Sequence, residues 1–147
     1  MQSLIYPLIV AAGILQAMGN AMNAQLNKSL VNPFLAASVS FLPIAFVFIT
    51  LLFIVPKPLP TAAEFSQMPW WAPLGGLAGA VAVFTGLLFT QKIGAGPFSG
   101  VLIASNLIFA MALDHFGLLG LPQHAASLGR IAGAVLMIAG VGLISLS

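Results

Sequence analysis

Four carboxamides, Gln16, Asn20, Asn23 and Asn27, lie in the stretch GILQAMGNAMNAQLNK, directly after the apolar run LIYPLIVAA. Each amide offers two N–H donors and a carbonyl acceptor, the chemistry that recognises polar neutral or zwitterionic groups. Their spacings of four, three and four residues place them within an arc of about 60° on a helix of 3.6 residues per turn. They form one polar stripe. Facing hydrocarbon it would be costly, so it must face protein or a wet cavity. Interhelical bonding, worth about 0.6 kcal/mol per bond in membranes, is one use of such amides. Four in register favour a second use, the lining of a substrate cavity. Gln25 falls on the opposite side of the helix.

A second polar set is sparser. Asn106, with Ser105 beside it, is an amide in the middle of a later apolar run, and it is read as a further substrate contact. Asp114, in LDHFG, is one of two acids in the chain, and Arg130 opens the final apolar run. Both belong to the same membrane side, so a structural ion pair between them would offset the cost of either charge in a low-dielectric layer; proton coupling through Asp114 is the alternative. No nucleophile stands in spacing with a base, no Gly-rich loop precedes a lysine, and His115 and His124 have no convergent ligands around them. The reading is therefore no enzyme, no metal and no cofactor.

The elements that must position these residues follow from composition. Of 147 residues 61% are hydrophobic and 4% charged, against roughly 45–50% and 25% in a soluble domain. Six charged side chains cannot keep a water-soluble surface of this size dispersed. A net charge of +2 resting on four bases and two acids carries no nucleic-acid footprint. Cysteine is absent, which removes disulfides and thiolate ligands. The chain is a membrane protein.

A helix needs about 20 mostly apolar residues to span the bilayer. Five segments qualify, at about 4–27, 33–55, 71–91, 97–119 and 127–146, in a single transmembrane domain. PKPLP stops the second, because proline cannot continue a helix, and the pair Trp70 and Trp71 anchors the third at the headgroup level. The runs lack two-residue alternation, so the fold is all-α and polytopic rather than a barrel. Small residues at Gly75, Gly79, Ala82 and Gly86, and at Gly129, Gly133 and Gly140, mark smooth faces for helix contact. Ser40 and Pro43 in the second span form a further candidate opening of the backbone.

An odd number of spans puts the termini on opposite sides. Lys57 and Arg130, with the N-terminal amine, then fall on one face and Lys28 and Lys92 on the other. That balance gives the positive-inside rule little to act on. Both orientations are then open to the same chain, and opposed copies would form an antiparallel homodimer with inverted-repeat architecture.

Taken together, NAQLNKSLVNPFLAASVSF, WWAPLGGLAGAVAVF, QKIGAGPFSG, LDHFGLLGLP and LGRIAGAVLMIAGVGL resemble the YdcZ-like five-span family of the drug/metabolite transporter superfamily. The resemblance covers nearly the whole chain, and DHFG followed by an arginine opening the last span is its most specific piece. It implies half of a ten-helix inverted-repeat transporter in the inner membrane, with two copies per unit. The matching positions are Gln16, Asn20, Trp71, Gly75, Asp114, His115 and Arg130. Asn106 stands where the family is expected to carry Gln, which bears on substrate rather than fold. The small multidrug exporters of the superfamily use a buried acid in the first span, where this chain has amides. The expected function is alternating-access transport of a small polar solute; a non-transporting partner subunit and a passive channel are the alternatives.

Overall fold

The structure is a computed structural model that describes residues 2–55 and 57–146. Every regular element among them is helical: α1 (Gln2–Leu30), α2 (Pro33–Ile54), the short α3 (Ala62–Ser66), α4 (Gly75–Ile93), α5 (Ala95–Phe116) and α6 (Leu128–Leu146). Five of these, all but α3, are long and apolar enough to cross a membrane. The all-helical, five-span class expected from composition is the one observed.

Local chemistry explains the helix ends. α1 runs through Asn27 and Lys28 to Leu30, past the expected boundary, because nothing in NKSL breaks a helix. Val31 then takes a left-handed φ of 60°, a conformation costly for a β-branched residue. Asn32 caps α2 by accepting hydrogen bonds from the Phe34 and Leu35 N–H groups, with Pro33 at the first helical position. α3 carries a capping box. The Glu64 carboxylate accepts from the Thr61 backbone N–H at 2.7 Å and from its hydroxyl at 2.9 Å, while Glu64 N–H donates to the Thr61 hydroxyl oxygen. The backbone bond first, and the hydroxyl bond second, hold the Glu64 carboxyl below its ordinary pKa. Gly94, at φ 89°, precedes α5, and Gly117 ends it in the left-handed conformation that glycine adopts without a Cβ clash.

The chain forms two compact units, residues 1–91 and 92–147. In the first, α1 packs on α2, the rings of Phe34 and Phe84 stack 5.5 Å apart between α2 and α4, and the core is small: Ala24, Ala36 and Leu87 are buried. In the second, α5 packs on α6 around Phe98, Ala104 and Ala134. The closest approach there is at Gly100, where a Cβ would meet the Val141 side chain at 3.1 Å. The expected contact glycines of α6 do not meet α5 within the single chain: a Cβ at Gly133 or Gly140 meets nothing within 4 Å, and at Gly129 only the neighbouring Ser127 hydroxyl. The same holds for Gly75 and Gly79 in α4, whereas Gly86 is buried. Glycine frequency marks helices that can approach; the partner's bulk decides where they do.

Candidate solute site on the first helix

The amide stripe divides at mid-helix. Its C-terminal half is committed to holding the first unit together: Ser40 Oγ on α2 donates to Asn23 Oδ1 at 2.8 Å, and Asn27 Nδ2 donates to the Leu87 carbonyl on α4 at 2.9 Å. α4 answers one turn away, where Gln91 Nε2 donates to the Ala24 carbonyl at 2.9 Å. The register, with 27 opposite 87 and 24 opposite 91, makes α1 and α4 antiparallel. These carbonyls already accept their helical bonds, so each amide bond is an added second acceptance.

The N-terminal half has no such partners. Asn20 is 7% exposed, yet its amide forms no hydrogen bond within the described residues. Gln16 is exposed on the surface of the single chain, and so is Gln25. On α4, Thr90 is 4% exposed and its hydroxyl has no partner within the described residues. Helical hydroxyls ordinarily bond to the carbonyl three or four residues back, as Thr85 does to Ala82, Ser38 to Phe34 and Ser105 to Val101. Thr90 departs from that habit beside Gln91, as Ser99 does on α5 in the second unit. A buried amide or hydroxyl without a partner costs about 1–3 kcal/mol.

The sequence reading missed Thr90 and Gln91. They precede Lys92 and read as the polar end of a span, and only the register with α1 reveals them as inward groups. Ser40, singled out for opening a backbone carbonyl, instead bonds to Asn23. Asn106 is exposed on α5, within the second unit. Trp70 is 81% exposed and Trp71 half-buried, ahead of a single turn of 3₁₀ helix at Ala72–Leu74 that leads into α4.

In the second unit, Arg130 Nη1 stands 3.8 Å from Asp114 Oδ2, with both side chains about two-fifths exposed. The loop between α5 and α6 sets this spacing. His124 N–H donates to the Asp114 carbonyl at 2.8 Å, Gln123 Nε2 to the His115 carbonyl at 2.9 Å, and Ala126 N–H to His115 Nδ1 at 3.1 Å, which fixes that ring nitrogen as an acceptor. Ser127 then starts α6, its hydroxyl accepting from Arg130 N–H and its carbonyl from Ile131 N–H. No cluster of three or more potential metal ligands occurs among the described residues.

Residues 4–143 match the model of a family described as "Putative inner membrane exporter, YdcZ". The chain belongs to the YdcZ family. It is also 29% identical over 144 residues to the inner membrane protein YdcZ of Escherichia coli strain K12, covering 98% of this chain and 96% of the relative. No solved structure matches. The match, with five apolar helices, makes this a multi-pass inner-membrane protein of a transporter family, as the sequence motifs imply.

Proposed function

We propose that the protein moves a small polar solute, neutral or zwitterionic, by alternating access as an antiparallel homodimer, without a catalytic step. The observation that carries this reading is the Asn20 amide, 7% exposed in the middle of the polar stripe, with a buried Thr90 hydroxyl that has no partner among the described residues on the helix bonded to α1. Gln16, one turn further along the stripe, is exposed on the single chain and would meet its counterpart in the second copy. Asn23 and Asn27 then act as the frame of the site rather than its lining. In this reading the cavity itself is built by two copies, and the grooves of about 740 Å³ and 480 Å³ on the single chain are lined by other residues. The even division of Lys28 and Lys92 against Lys57 and Arg130 supports insertion in both orientations, and inverted pairs of this kind bind substrate near the midplane. Asn106 is proposed as a separate solute contact.

Uptake and counter-exchange of labelled neutral and zwitterionic solutes in proteoliposomes test the reading. Asn20→Leu and Thr90→Val are expected to lower the flux of a transported solute by about tenfold, the loss of one buried hydrogen bond to a polar ligand, while the dimer persists. Unchanged flux in both variants removes the site. A C-terminal tag accessible from both sides of the membrane is the matching expectation for orientation, and a one-sided tag removes the inverted pair.

The bonds of Asn23 and Asn27 favour a second reading, a partner subunit in which the amides only join helices. It predicts no flux from the wild-type chain and loss of assembly, rather than of transport, in Asn20→Leu.

A further inference from the structure

A groove of about 480 Å³ in the second unit is polar at one end and apolar along its length. Asp114 and Arg130 stand at its mouth, and Leu107, Ala110, Met111, Gly133, Ala134 and Met137 form its walls. Asp114 to Leu107 and Arg130 to Met137 are each seven residues, and α5 and α6 lead away from the same loop. The apolar part therefore runs for about 10 Å, at 1.5 Å per residue, into the membrane-spanning region.

The polar end is incompletely satisfied. At 3.8 Å the guanidinium and carboxylate are beyond hydrogen-bond distance. Charges so placed still attract each other, but the carboxylate keeps acceptor sites and the guanidinium keeps donors for a third group. Such a group must present a cation to Asp114 and an anion to Arg130. The walls demand that it also carry hydrocarbon, and the two methionines provide a wall that adapts to a flexible chain. A Cβ at Gly133 would meet nothing within 4 Å, so the groove is open at that point rather than filled by a neighbour.

We propose that this groove binds a zwitterionic phospholipid from the surrounding bilayer, its primary ammonium on Asp114, its phosphate on Arg130 and one acyl chain along α5 and α6. The site shares no residue with the solute proposal, and all its residues lie in the second unit. The larger groove of the first unit, about 740 Å³ between α2 and α4, has no charged residue in its lining and specifies no occupant.

Native mass spectrometry of the full chain in detergent, titrated with dioleoyl phosphatidylethanolamine, dioleoyl phosphatidylglycerol or glycerophosphoethanolamine, tests the proposal. The expected order is retention of the ethanolamine lipid, about tenfold weaker retention of the glycerol lipid, which lacks the ammonium, and none of the chainless headgroup. Asp114→Asn is expected to erase the preference between the lipids, and Arg130→Gln to weaken both. Gly133→Leu fills the groove from one wall and Ala110→Leu from the other; either one, with helix content retained, is expected to displace the lipid. Equal binding of both lipids by the wild type overturns the proposal, as does a preference that survives Asp114→Asn. Equal retention of the chainless headgroup assigns the pocket to a free zwitterion instead. Lipid retained in both plugged variants while a dimer dissociates assigns the groove to a second copy and overturns it as well.

Discussion

The two units join helices by different means. In residues 1–91 the links between helices are side-chain amides: Asn23 to Ser40, Asn27 to the Leu87 carbonyl and Gln91 to the Ala24 carbonyl. In residues 92–147 the link is bulk against absence of bulk, Val141 against Gly100, beside the buried alanines 104 and 134. Lipid tails are as apolar as leucine, so neither unit gains a hydrophobic driving force from helix contact within the bilayer. What remains is polar pairing or close packing, and the balance differs: amide bonds stand beside the Phe34–Phe84 stack in the first unit, and close packing stands beside the Asp114–Arg130 pair in the second. Buried hydroxyls without a partner among the described residues occur in both units, at Thr90 in the first and at Ser99, next to Gly100, in the second.

The largest test of this contrast is Gly100→Leu. With 3.1 Å between an added Cβ and the stiff Val141 side chain, overpacking is expected to cost about 1–3 kcal/mol. It should appear as lost amide-hydrogen protection in α5 and α6, and Val141→Ala should restore much of it. A smaller effect is expected from Asn27→Leu with Gln91→Leu. Removing two interhelical bonds at about 0.6 kcal/mol each should lower stability in mixed micelles by about 1 kcal/mol, with the loss confined to the first unit. If this double variant costs more than Gly100→Leu, the proposed division between amide links and close packing is reversed.

The smallest effect falls outside both helix pairs. The folded-state pKa of Glu64 is depressed by its bonds from Thr61. The stabilisation it gives α3 is present above the ordinary carboxylate pKa and is lost as pH falls through the lowered one. Acidification should thus lower the amide protection factors of residues 62–66, after correction for the intrinsic exchange rate, while leaving α5 and α6 protected, and Glu64→Gln should make those protection factors insensitive to pH across the carboxylate range.

The five spans were legible because lipid imposes length and apolarity directly on the sequence. The amide stripe was legible in its geometry, since spacing alone puts Gln16, Asn20, Asn23 and Asn27 on one side of a helix. Its division was not. Whether an amide is occupied depends on what stands opposite, and Ser40, Leu87 and Ala24 come opposite only through helix register, which short-range spacing does not encode. The packing glycines show the same limit. Gly133 and Gly140 read as contact glycines in sequence, yet it is Gly100, which no spacing singled out, that stands closest to a branched side chain of the partner helix. The helix ends at Val31 and Gly117 depended on single backbone angles, which no apolar run announces.

The reciprocal bonds from Asn27 and Gln91 have a mechanical consequence. One bond between two rods is a pivot; two bonds a turn apart, donated in opposite directions, are a brace that resists both sliding and swivelling. The C-terminal half of α1 and the adjoining end of α4 are therefore obliged to travel together in any cycle the protein performs. Freedom is left to the portion of α1 that precedes Asn23, the portion that carries Gln16 and Asn20.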